Sequence, residues 1–309
     1  MEFTAEQVCS IVAIALKKPE DCGRPITFWS SREIADEAVL QNIVKSISPS
    51  TVGNILRNIS VRPHKSKYWL NPKIENQEKF REDLKVISDL YARADVLKSE
   101  NTKLVSVDEK TSMQANERIA LDKPMVPGSD VKIEFEYKRH GTQCLTPTFD
   151  VQNGKIISHK IGETRTEIEF VEHIMDTVSI APNSNWIFVM DQLNTHKSEG
   201  LVRYFAEVNG FIGDLGIKGE KGILKNQETR AEFLTKLDQK IRIQYTPKHC
   251  SWMNQIEIWF GIFHRKALRR RSFNSIIDLV EKTNQFIEYY NRTMAKPFSW
   301  TYKGKALSI

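Results

Sequence analysis

The stretch NWIFVMDQLNTH, residues 185–196, opens on an apolar run from Trp186 to Met190 that stops at Asp191. Such a run reads as a buried strand, and it leaves an acid at the strand's end. KLVSVDEKT, residues 103–111, repeats the arrangement, with Leu104 to Val107 as the run and Asp108 as the acid. A third carboxylate, Glu257 in SWMNQIEIWF (residues 251–260), sits on the face of an amphipathic helix. Carboxylates on rigid elements supply the hard oxygen ligands that Mg²⁺ prefers and leave room for phosphate oxygens. The chemistry implied is metal-assisted attack on a phosphodiester.

Charge around Glu257 points to a polyanion. From Lys240 to Ile277 there are eight Lys or Arg and a single acid, Glu257 itself. Cations that attract a polyanion around a carboxylate that recruits metal are what a nuclease needs, whereas a solvated helix with an ordinary Glu is the plainer reading of the same run. The final seventy residues carry a net charge of +9 within a chain total of +6, so the basic footprint is local.

The 309 residues accommodate one large domain with a small one, or two of middling size. Hydrophobic content of 40% and charged content of 27% are ordinary for a globular chain. No apolar run approaches the roughly 20 residues of a membrane span, and the N-terminus lacks a signal-peptide pattern, so a cytoplasmic location is expected. Cys9, Cys22, Cys144 and Cys250 form no CxxC pair, which argues against a zinc module and a disulfide framework.

The first seventy or so residues read as short helices. Ser30 with Glu33 forms a capping-box pattern ahead of the stripe Ile34, Ala35, Ala38 and Val39. Ser48 then Pro49 starts a second helix with Val52, Ile55, Leu56 and Ile59 inward. The pair makes a helix-turn-helix candidate, with Ser50, Thr51, Asn54 and Arg57 facing out toward base edges and phosphates. Arg57 to Lys73, including Lys65 and Lys67, holds five basic residues and no acid. A generic three-helix packing module accounts for the apolar pattern equally well.

One polar helix is expected over 76–99, then strands over 104–107, 144–150 and 156–161, a helix over 167–178, a strand over 186–190 and a helix over 197–208. Glycine at every third residue from Gly210 to Gly222 reads as a flexible loop. A helix over 227–237, a strand over 241–245 and a long helix from about 252 to 270 complete the set. This order is an α/β arrangement with a mixed five-stranded sheet and flanking helices, matching the RNase H-like fold, preceded by a small all-α domain. In that fold the first and fourth strands are neighbours, which brings Asp108 to Asp191, and the helix after the last strand supplies Glu257.

At these residues the sequence resembles the DDE transposases of the IS630 group, within the Tc1/mariner superfamily. The resemblance covers most of the chain: VDEKT (107–111), EYKRHGT (136–142), MDQLNTHK (190–197) and YTPKHCSWMNQIEIWF (245–260), with FWSSREIA, SPSTVGNIL and RPHKSKYWLNP in the N-terminal part. It implies a helix-turn-helix DNA-binding domain over 1–75, a helical linker over 76–100, and an RNase H-like catalytic domain over 101–309 with an insertion at about 209–239. It further implies an enzyme that binds the terminal inverted repeats of its own insertion sequence, cuts the strands and joins the 3′ ends to target DNA, often at TA. Asp108, Asp191 and Glu257 match the catalytic acids and would hold two Mg²⁺ or Mn²⁺ ions. The expected partners are double-stranded DNA, as repeat ends and target, and a second copy of the chain on that DNA, in a bacterial cytoplasm near the nucleoid.

Arg265, Arg269 and Arg270 are expected to contact DNA beside the acids. Asn194 and His196 are placed to orient a carboxylate or contact phosphate, Arg139 and His140 to reach phosphate, and Trp252 to pack the helix or touch DNA. Two departures from the family pattern stand out. The interval from Asp191 to Glu257 is 66 positions, longer than usual, and the excess is expected to be a surface excursion that leaves the acids in place. Many members also carry a further N-terminal helix-turn-helix, which this chain starts too late to contain. Competing readings are a silent DNA-binding remnant acting as repressor, another RNase H-like nuclease or Holliday-junction resolvase, and a cysteine hydrolase using Cys250 with His196 or His249.

Overall fold

A computed structural model describes residues 3–66 and 76–302; Lys67, Tyr68 and Trp69 of the basic stretch lie outside them. The chain divides into two compact units, Met1–Asn71 and Pro72–Ile309.

The first unit contains α1 (Ala5–Leu16), a 3₁₀ turn (Pro19–Cys22), α2 (Ser31–Leu40) and α3 (Pro49–Asn58). Thr4 and Ser30 close capping boxes with Gln7 and Glu33, and Ser48 accepts from the Thr51 amide at 3.1 Å. These caps satisfy donors that a first helical turn leaves open. Ile11, Ile14, Trp29, Ile34, Ala38, Val52 and Leu56 form the unit's core. Val39 and Ile59, expected inward, are exposed. Val39 stands about 140° around the helix from Ile34, at the edge of the stripe, and Ile59 is the cap beyond the end of α3.

In the second unit the stretch expected as one linking helix is two, α4 (Gln77–Ala92) and α5 (Ala94–Ser99), broken at Arg93. Leu84, Ile87, Tyr91 and Leu97 pack into this unit's core. Six strands follow where five were expected: β1 (Thr102–Val107), β2 (Lys110–Arg118), β3 (Tyr137–Asp150), β4 (Lys155–Gly162), β5 (Asn185–Met190) and β6 (Ile241–Tyr245). The sequence of β2, KTSMQANER, buries only Met113 and Ala115, so its alternation carries almost no apolar signal. Helices α6 (Glu167–Ser179), α7 (Glu199–Val208), α8 (Gln227–Leu234), α9 (Ile256–Phe263) and α10 (Ile276–Thr293) complete the unit. The long helix expected from 252 is a 3₁₀ turn, then α9, then a π-helical turn over His264–Leu268.

β1 pairs antiparallel with β3 and parallel with β5, and β5 pairs parallel with β6. The register Ser106↔Val189 sets residue 108 opposite residue 191 once both strands run two residues on. β2 continues β1 along the same edge of β3, since Val107 pairs Thr148 and Lys110 pairs Leu145. Asp108 and Glu109 occupy the joint. Pro147 stands opposite that joint in the shared register and has no N–H to donate, which accounts for the break in the ladder there.

Both faces of the sheet are covered, so the central strands are apolar on both sides. Leu104, Ile187 and Val189 face a core shared with α4, α9 and α10. Val105, Val107, Trp186, Phe188 and Met190 face the other core, with α6, α7 and α8. By the same period of two, Ser106 belongs to the α9 side. The glycine-spaced run over 210–222 is, as expected, a largely exposed loop, whereas the end of the excursion anchors to the domain: Leu224, Phe233 and Leu234 are buried in the second of these cores. Among the described residues no helix is long and apolar enough to cross a membrane.

Candidate carboxylate site

The site is assembled at the ends of β1 and β5, where strand pairing places Asp108 across from Asp191. Asp108 is buried and accepts from the Glu109 amide at 2.8 Å. Burial, reinforced by the charge of Asp191, pushes its carboxyl up to about 7. Burial also acts to raise Asp191, but the His196 hydrogen bond and charge outweigh it and hold that carboxyl below the ordinary range. One acid is thus ionised at neutral pH while its neighbour sits near half-protonation.

Glu257 reaches the site through a buried polar hook between α9 and β1. The Ile256 amide donates to Ser106 Oγ at 3.0 Å, and Ser106 Oγ in turn donates to Asn254 Oδ1. That fixes the amide of Asn254, so its Nδ2 donates to the Val107 carbonyl at 2.9 Å and lies 3.4 Å from Asp108 Oδ2. Asn254 is fully buried, and a polar side chain there is stable because each end has a partner. The start of α9 is thereby held two residues from Asp108. Glu257 itself is exposed on the first turn; partial desolvation raises its carboxyl, Lys110 opposes this, and Asp191 adds to it.

Beneath Asp191 lies a second acid that the sequence reading passed over. His196 is fully buried, with Nδ1 2.8 Å from Asp191 Oδ1 and Nε2 3.2 Å from Glu109 Oε1. Burial would lower this imidazole, but the two carboxylates raise it to about 10. The segment that carries it is braced from two elements: Arg230 Nε, in the insertion, donates to the Lys197 carbonyl at 2.6 Å, and the Tyr245 hydroxyl, at the end of β6, donates to the His196 carbonyl at 2.7 Å. Lys197 lies over the Tyr245 ring, its ammonium is lowered by burial and then by Lys248, and its charge acts on Asp191.

Among the described residues no group of three or more His, Cys, Asp or Glu side chains forms a ready metal cage. The donor set nonetheless fits a hard dication. Asp108 and Asp191 are like charges brought together in a desolvated place; burial first, and the charge of Asp191 second, push Asp108 up to about 7, and both are costs that a bound divalent cation would relieve. Each Asp has one oxygen taken, Asp108 Oδ1 by the Glu109 amide and Asp191 Oδ1 by the Leu193 amide at 2.9 Å. Asp108 Oδ2 has only the long contact from Asn254 Nδ2 at 3.4 Å beside it, which leaves it lone-pair capacity for a metal.

Of the residues expected on DNA, Arg265, Arg269 and Arg270 are exposed on the π-helical turn and just after it. Arg269 lines a cavity of about 450 Å³ with Lys110, Gln114 and Arg271. In the first unit Ser50, Asn54, Arg57 and Lys65 are exposed, and Arg57 donates to Asn54 Oδ1 at 2.8 Å. Thr51 is half-buried, its hydroxyl 2.8 Å from that of Ser48. Elsewhere His140 pairs with Glu117 at 2.8 Å, Arg139 lies over the Tyr137 ring, Asn194 is exposed, and Trp252 packs edge-on against Tyr302. Cys250 is buried and its thiol is raised by that burial, away from the thiolate a hydrolase nucleophile requires.

Sequence reasoning reached Asp108, Asp191 and Glu257 but gave no part to Glu109 or Ser106. The second acid of VDEKT was the available signal; its burial depends on His196, 87 positions away.

A family model described as DDE superfamily endonuclease matches residues 103–280. Among solved structures, the fold is similar to the Mos1 mariner paired end complex with Mn, at 13% identity and TM-score 0.54, over 94% of this chain and 73% of that one. It is equally similar to the Mos1 transposase paired-end complex with left transposon end, at 14% identity and TM-score 0.54, over 97% and 76% of the two chains. The Mos1 Strand Transfer Complex follows at 13% identity and TM-score 0.52, over 93% and 72%. No curated protein matches. The mixed sheet with flanking helices is accordingly RNase H-like.

Proposed function

The chain belongs to the DDE superfamily endonucleases, and on that premise we propose that it is the transposase of an insertion sequence, cutting DNA at the element's terminal inverted repeats and joining the freed ends to target DNA. The observation that carries this reading is the convergence at one strand end: β1 and β5 in parallel register bring Asp108 to Asp191, and the Ser106–Asn254 hook brings the first turn of α9 with Glu257.

Asp108, Asp191 and Glu257 are the residues that would hold Mg²⁺ or Mn²⁺, two ions in all. Bound there, the ions supply an activated water or 3′-hydroxyl and charge stabilisation for the leaving oxygen. The chain's own side chains do the rest. His196 keeps Asp191 ionised and fixes one of its oxygens. Lys110, Lys197 and Lys248 bring positive charge to a phosphate entering the site. Arg265, Arg269 and Arg270 follow the DNA backbone, as cations that release counterions. In the first unit α2 and α3 act as a helix-turn-helix, with Ser50, Thr51, Asn54 and Arg57 contacting bases and phosphates, and with Lys65 and Lys67 supplying positive charge for the DNA backbone. Two element ends must be held together, so the acting form is a dimer on DNA, at the nucleoid of a bacterial cytoplasm.

The test is a DNA fragment bearing the element's two ends, incubated with protein and Mg²⁺ and analysed for nicked strands and for ends joined to a second duplex. Cleavage at the ends that disappears in Asp191→Asn is the expected result. Equal cutting by Asp191→Asn, or preference for RNA hybrids or branched DNA over the ends, contradicts it.

A further inference from the structure

We propose that Glu109 is a positioning residue that acts through His196 to fix the carboxylate of Asp191, so that Oδ2 alone is presented to a divalent cation. The inference rests on the reading of Asp191 as a metal ligand and assigns a role to a residue outside that ligand set.

Glu109 and Asp191 approach His196 from its two ring nitrogens. Carboxylate oxygens only accept, so contacts of 3.2 Å at Nε2 and 2.8 Å at Nδ1 orient an N–H toward each. A ring held at both ends cannot turn about its axis, and the Phe170 ring, 4.5 Å away between centroids, closes one side of it. Nδ1 lies 2.8 Å from Asp191 Oδ1 and 3.2 Å from the Asp191 carbonyl oxygen, so the ring grips this residue at both side chain and backbone, and Oδ1 also accepts from the Leu193 amide at 2.9 Å. This sets the plane of the carboxyl group and leaves Oδ2 facing away from both. A carboxylate as enclosed as Glu109, whose side chain is 3% exposed, is costly to bury and is matched here by the imidazole. Its partner holds Asp191, not a surface charge, which ties the Glu to the site. The joint between β1 and β2 makes this possible: alternation along the strand turns Glu109 toward the α6 side, where His196 lies, and Asp108 toward the α9 side. One dipeptide thus supplies a ligand on one face and the support for the opposite ligand on the other.

Groups that orient metal ligands typically change metal affinity or activity by about 10- to 100-fold when removed. The experiment is titration of the full chain with Mn²⁺ alone, followed by kcat and KM for cleavage of end-bearing DNA, in wild type, Glu109→Ala, Glu109→Gln, Glu109→Asp and Asp191→Asn. Folding of each is checked by thermal denaturation. Glu109→Ala is expected to lose about 10- to 100-fold in Mn²⁺ affinity and to lower kcat with little change in KM. Glu109→Gln, which keeps an acceptor oxygen at the same reach, recovers most of both. Glu109→Asp, one methylene short of His196, behaves like Ala, and it carries the test should the Ala variant fail to fold. Wild-type Mn²⁺ affinity in both Ala and Asp variants overturns the proposal, as does a loss that follows Tm and is not restored by Gln. If Asp191→Asn itself binds Mn²⁺ as wild type does, the ligand reading falls first and the role of Glu109 falls with it.

Discussion

Asp108 is a carboxyl that folding makes harder to ionise. Its value in the folded chain, about 7, stands above the ordinary 3.8, so as pH rises the unfolded chain releases this proton first. Stability that is fully present below the ordinary value is therefore lost between there and about 7, on the order of a few kcal/mol. In metal-free protein, Asp108→Asn is expected to raise Tm at pH 8 and to leave it nearly unchanged at pH 3.5, where Asp108 is mostly protonated even in the unfolded chain. Thermal melts at the two pH values check this; an equal effect at both contradicts the electrostatic account. The acids at 108, 191 and 257 were legible because each carries a local signal, a strand end or a lone acid in a basic run. Glu109, Ser106 and the bonding of Asn254 were not, because each is defined by a partner far along the chain, 148 positions away for Ser106 and Asn254. Only the folded sheet makes those distances local.

At the scale of elements, the insertion before β6 has the expected loop and helix but not the expected detachment. The glycine-spaced run is the exposed loop expected, but the helix after it, α8, buries Phe233 and Leu234 against the core that β5 and α7 share, and Arg230 bonds the turn that bears His196. The helix was legible but its burial was not, because QETRAEFL offers only two apolar side chains beyond Ala231, both at its C-terminal end, too few to mark a core-facing stripe. If α8 is structural, Phe233→Ala should cost about 3–5 kcal/mol, the range for emptying a buried aromatic site. Denaturant unfolding measures it, and a loss under about 1 kcal/mol, typical of an exposed position, would mean the insertion is the excursion first expected. β1, β3, β4, β5 and β6 were readable from their apolar runs. β2 was missed because it turns only Met113 and Ala115 inward. α10, with Leu279, Phe286, Ile287 and Tyr290 inward, carries apolar positions at helical spacing and was not among the expected helices.

The whole molecule is two units, each with its own core, and the two carry different expectations on DNA. The cations of the second unit bind backbone without regard to sequence, so replacing Arg265, Arg269 and Arg270 by Ala should weaken binding to all duplexes alike. It should also flatten the dependence of log K on log salt by about 0.9 for each phosphate that is no longer neutralised. Binding isotherms at several salt concentrations test this, and an unchanged slope removes these residues from the interface. The central claim is that Glu257, the one exposed member of the three acids, completes a metal-dependent cleavage site with Asp108 and Asp191. Mg²⁺-dependent cleavage of end-bearing DNA by Glu257→Gln, compared with wild type at equal DNA binding, tests it most directly. The predicted result is full binding with cleavage abolished; cleavage at the wild-type rate contradicts the assignment.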